Sequence, residues 1–102
     1  MAGLGKVLKE AQKMQKKMAS IQEELAKTII EVSAGGGAVK ISVSGQQEVV
    51  GLKLDPEFLK EDAAVVQDTI LSAIKEALTK AKALNDAEMQ KAAGGFSLPG
   101  MF

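Results

Sequence analysis

The 102-residue chain contains no cysteine, histidine, arginine, tyrosine or tryptophan. Without cysteine there is no disulfide framework, no thiolate nucleophile and no soft metal site, although the compartment's redox state stays open. Without histidine there is no imidazole base and no zinc ligand of the commonest kind, and without tyrosine no phenolic acid. Any catalysis would fall to Asp, Glu, Lys, Ser or Thr. The adjacent carboxylates Glu23-Glu24 and Glu61-Asp62 diverge when they are neighbours on a helix or at its start, so they read as solvated groups. No oxygen-ligand calcium loop is written into the chain. The inventory therefore points away from an enzyme, a cofactor and a metal.

Long apolar runs are missing as well. None approaches the eighteen residues of a membrane span, and the start Met1-Ala2-Gly3-Leu4 lacks the apolar block of a signal peptide, so a cytoplasmic protein without a membrane partner is expected. Aromatics make up 3% of the chain, which leaves the core to Val, Ile, Leu, Met and Ala. A chain of this length buries a modest core, and a second copy is a natural source of further burial.

Net charge is also absent: 13 lysines balance 13 acids. The distribution is nevertheless polar. Residues 1–17 carry Lys6, Lys9, Lys13, Lys16 and Lys17 against Glu10 alone, a local charge of +4, whereas residues 54–102 sum to −3. For a polyanionic partner, clustered charge matters more than the total.

What the sequence does contain is periodicity. Leu4, Val7, Ala11, Met14, Met18, Ile21 and Leu25 recur at spacings of three and four, the seam of a long helix. At 100° per residue, Lys6, Lys9, Lys13 and Lys16 fall in an arc about 150° from that seam. The stripe is either a solvated outer face or a cationic surface for a partner. Met14 and Met18 read as core filling, with an adaptable partner groove as the other reading.

After Leu25 the period changes to two. Ile30 and Val32, then Val39, Ile41 and Val43, then Val50, Leu52 and Leu54 predict three strands sharing one buried face, with Glu31, Lys40, Ser42, Ser44 and Lys53 on the other. Gly35-Gly36-Gly37 and Gly45-Gln46-Gln47 are short enough to make the sheet an antiparallel meander. The glycine triplet opens a strand and lacks Gly-Lys-Ser/Thr, so it is read as a hairpin rather than a phosphate loop. Asp55-Pro56-Glu57 predicts a short helical turn through Leu59, and Asp62 starts a second long helix. Val66, Ile70, Ala73, Ile74, Ala77, Leu78, Ala81 and Leu84 trace its stripe toward Ala93. The expected fold is α+β: a long helix, a three-stranded meander and a long C-terminal helix form one domain over residues 1–93, and 94–102 form a flexible tail. At roughly 35 and 45 Å the helices outrun strands of roughly 27 Å, so their ends must pack on each other, on a second subunit or on a ligand.

Four stretches carry a family resemblance: Leu8-Lys9-Glu10-Ala11-Gln12-Lys13-Met14-Gln15, Ser33 to Lys40 around the glycine triplet, Leu54-Asp55-Pro56, and the ending Gly94-Gly95-Phe96-Ser97-Leu98-Pro99-Gly100-Met101-Phe102. In this order and spacing they resemble the YbaB/EbfC family of bacterial nucleoid-associated proteins across essentially the whole chain. The resemblance implies a non-enzymatic homodimer whose helices project like tweezer arms to grip double-stranded DNA. It also implies a place in the nucleoid and a role in chromosome organisation and gene regulation. On that footing the DNA contacts are Lys6, Lys9, Lys13, Lys16 and Lys17. Lys82 and Lys91 join them if the two helices run antiparallel and the last one ends beside the amino terminus. Lysine ammoniums lack the fork that reads guanine, so little sequence preference is expected. The competing reading is an adaptor that docks other proteins of DNA metabolism on the helical seam, with Phe96 and Phe102 in the tail as anchors.

Overall fold

The computed structural model of the chain describes residues 2–94. The expected tail from 95 onward lies outside them. Helix α1 (Ala2–Lys27) is followed by β1 (Ile29–Ala34), β2 (Val39–Ser44) and β3 (Val49–Leu54), a 3-10 turn at Phe58–Lys60, and helix α2 (Ala63–Ala93). The sheet is antiparallel in the order β1-β2-β3, with Val32 opposite Ile41 and Ile41 opposite Leu52.

The glycine triplet makes the first hairpin because Gly35, Gly36 and Gly37 have φ of 63°, 69° and 94°, values that side-chain-bearing residues adopt only with strain. Gly45 has a different reason to be glycine. A Cβ there would lie 2.7 Å from the Leu25 carbonyl oxygen, while Gln47 supplies the turn's positive φ of 67°. Asp55 Oδ1 accepts a bond from the Glu57 amide (3.1 Å), and this local turn feeds the 3-10 segment.

The core is thin. Val32, Val39, Ile41 and Val43 pack against Ala73, Ala77 and Ala81 of α2, with Ile30, Leu54, Phe58, Ile70, Ile74 and Leu78 at its margin. Alanines four residues apart let the α2 backbone approach the sheet closely, and each fully buried Val or Ile contributes about 1.5–3 kcal/mol.

Two expectations about the sheet need correction. Val50 and Leu52 were placed on a buried face, yet they are 54% and 50% exposed. α2 lies over β1 and β2 and makes no comparable packing with β3. A bulge opposite Val43 further disturbs the β3 alternation. Ser44, expected on the open face, is buried, and its hydroxyl oxygen accepts from the amides of Gln46 (3.2 Å) and Glu48 (3.3 Å). The tight β2–β3 turn folds over it.

Candidate nucleic-acid interface

The end of α1 is fixed to the sheet by its own unsatisfied carbonyls. The Gly45 amide donates to the carbonyls of Leu25 and Thr28, each at 2.9 Å, and Thr28 returns both its amide and its hydroxyl to Glu24 O. The Gln46 side chain donates to Gln22 O (2.9 Å), and the Asn85 amide group to Gly45 O (3.2 Å). A helix end that lacks intrahelical partners is thereby satisfied from the β2–β3 turn and from α2. The missing side chain at Gly45 is what permits this approach.

From that root the two helices run antiparallel. Leu25 and Ile21 share a cleft with Leu84 and Glu88, and beside it Gln22 Nε2 meets the Met89 thioether at 3.2 Å. Continuing at this pairing, the last described turn of α2 reaches only the neighbourhood of Met18. The amino-terminal half of α1 extends past it. Burial follows: Leu25 is 3% exposed, Ile21, Met18 and Met14 are half-buried, and Leu4 and Val7 reach 63% and 64%. The chain measures 71 × 26 × 16 Å with a radius of gyration of 19.7 Å, against about 13 Å for a compact domain of 100 residues.

The arm carries Lys6, Lys9, Lys13, Lys16 and Lys17, all exposed. They span roughly 16 Å of helix and an arc of about 100°. Among the described residues none of the five forms an ion pair. Lys82 and Lys91 differ. Lys82 Nζ lies 2.9 Å from Asp86 and Lys91 Nζ 3.3 Å from Glu88. The helices are antiparallel, but α2 ends beside the middle of α1, which leaves Lys82 beside the root and Lys91 close to the inner end of the cationic stretch. Strand register adds a pair that one-dimensional reading could not supply: Lys40 and Lys53 stand directly opposite each other on neighbouring strands. Each had been assigned to the open face, but their adjacency depends on the β2–β3 alignment.

The described residues thus form a sheet-and-helix body from which a helix carrying exposed lysines extends. Among the described residues no group of acidic side chains is disposed to hold a metal, and no described helix is long and apolar enough to cross a membrane. Residues 1–96 match the YbaB/EbfC DNA-binding family. The chain belongs to that family, whose members are non-catalytic DNA-binding proteins, and it is not an enzyme. It is 43% identical to a nucleoid-associated protein of Pelotomaculum thermopropionicum, covering 97% of this chain and 95% of that one. It is also 46% identical to a nucleoid-associated protein of Ruminiclostridium cellulolyticum, over 97% and 88% of the two chains. The crystal structure of the uncharacterized protein HP0035 from Helicobacter pylori superposes with a TM-score of 0.72 at 27% identity, covering 95% of this chain and 97% of that one.

Proposed function

We propose that the chain acts as a homodimer that binds double-stranded DNA through the phosphate backbone and, in the cytoplasm, contributes to nucleoid organisation and gene regulation. The observation that carries this reading is the set of five exposed lysines on a helical arm beyond the folded body, without acidic partners among the described residues. Lys6, Lys9, Lys13, Lys16 and Lys17 act as point charges along phosphates, which fixes position without reading bases. Lys82 and Lys91 contribute less, because each must first exchange a carboxylate neighbour for a phosphate. Family membership and the printed function of the curated relatives support the same reading.

The homodimer rests on surface area as well as on family. The isolated chain exposes 7328 Å², whereas a compact monomer of its mass exposes about 5,500 Å². The excess is of the order that an associating protein conceals. A mobility-shift titration over a salt series tests the DNA reading. With ten arm lysines per dimer and half engaged, log K falls against log salt with a slope of about −4 to −5. No retardation of any duplex at low salt and micromolar protein would refute it.

A second reading has its own observation. The cleft between the helices, about 340 Å³, sets Ile21, Leu25 and Leu84 between Glu24 and Glu88. That arrangement favours an adaptor that docks another protein of DNA metabolism. A protein partner whose binding is lost on Leu84→Arg, with DNA affinity unchanged, would distinguish it.

A further inference from the structure

The apolar seam of α1 outlasts the helix that covers it. Ile21 and Leu25 face α2, and Ala92 in the last turn of α2 is still fully buried. Beyond that turn the seam continues through Met14, Ala11, Val7 and Leu4. Leu4 and Val7 are 63% and 64% exposed, and Leu8 beside them is 57% exposed. Intrinsic propensity does little to hold this arm. It carries Gly3 and Gly5, where an added side chain would meet nothing within 4 Å among the described residues, and an isolated helix of this length is marginal in water. A continuous apolar strip on a weak helix calls for cover.

We propose that residues 95–102 of the same chain are that cover, leaving the end of α2 and lying extended along the seam from Met14 to Leu4. Position, reach and chemistry support this occupant. α2 is antiparallel to α1 and ends near the level of Met18, so a chain continuing past Gly94 starts on the uncovered part of the seam. Met18 to Leu4 is about 21 Å of helix, and residues 95–102 in extended form span about 26 Å. At that rise Phe96 comes about level with Met14, Leu98 with Leu8 and Met101 with Leu4. The segment has no charged side chain and holds two of the chain's three phenylalanines, together with Leu98 and Met101. The arm of a second copy is a poorer occupant, because residues 1–17 carry +4 and would be brought against another +4. The arm lysines lie about 150° from the seam. They stay clear of the contact, and the brace keeps their arc in helical register whatever ligand they meet.

A chain without cysteine accepts engineered pairs directly. In the full chain Leu98→Cys is combined in turn with Leu4→Cys, Val7→Cys and Ala11→Cys, with Lys9→Cys on the opposite face as control, and each pair is oxidised at micromolar concentration. At least one seam pair closes an intramolecular disulfide, read as a monomer of increased mobility on a gel without reductant, and the control does not. In a second experiment Phe96→Ser with Leu98→Ser, both outside the described residues, speeds amide hydrogen exchange over residues 7–14 at least about tenfold and leaves β2 unchanged. Both results are required. Closure at Lys9 as readily as on the seam, or at none of the four positions, overturns the brace. A covalent dimer in place of the internal link gives the seam to a second copy and overturns the occupant. Unchanged exchange in the serine variant overturns it too, and leaves the strip to another partner.

Discussion

The two ends of α1 are written in one repeat and live in different surroundings. At its root Leu25 is 3% exposed and its carbonyl is bound by Gly45, while at the far end Leu4 is 63% exposed, on a stretch of helix whose five lysines form no ion pair among the described residues. Periodicity determines which side chains share a face. It does not determine whether anything covers that face, because cover depends on where the antiparallel neighbour stops. Here α2 stops short of the arm, so one helix is a structural member over its last turns and an electrostatic surface over its first ones.

Substitutions can break that division, beginning with the body. Ile41→Ala, at a fully buried site, is expected to lower stability by about 2–5 kcal/mol in urea denaturation. DNA affinity per folded molecule should not change; an affinity loss at full folding would mean that the body itself touches DNA. Met18→Asp tests the boundary between the regions. Placing a carboxylate on the half-buried seam should cost about 1–3 kcal/mol, and an unchanged melting temperature would show that the seam ends closer to the root.

On the arm, Lys9→Glu combined with Lys13→Glu should weaken duplex binding more than tenfold at low salt, which corresponds to about 1.4 kcal/mol or more. It should leave oligomeric state and melting temperature intact, and a dissociated dimer in this variant would place these lysines at a subunit contact. The smallest effect is expected at the paired lysines. Lys82→Gln with Lys91→Gln removes two exposed ion pairs, each worth about 0–1 kcal/mol, and should shift DNA affinity less than the arm variant does. An equal or larger loss would move the interface from the arm toward α2.

The helices, the meander and the cationic arc were legible in the sequence because each depends on local spacing alone. Leu4 to Leu25 and Val66 to Leu84 announce helices, and Val39, Ile41 and Val43 announce a strand that is indeed buried. What remained hidden depends on contacts between distant segments. Gly45 looked like turn punctuation and is instead the seat of α1, a role visible only when Leu25 lies against it. Val50 and Leu52 alternate as buried residues should, but α2 is one helix wide and covers two strands. Lys40 and Lys53 were both assigned to the open face, and only the strand register makes them neighbours. The sequence likewise offered Lys82 and Lys91 as members of a cluster whose completion depended on where α2 ends.

The antiparallel helices also separate charge along the long axis. Asp55, Glu57, Glu61 and Asp62 gather where α2 begins, at the opposite extremity from the lysine-bearing tip. A molecule with no net charge is therefore an electric dipole tens of ångströms long. In the field of a polyanion such a dipole experiences a torque that turns its lysine-bearing tip toward the negative charge.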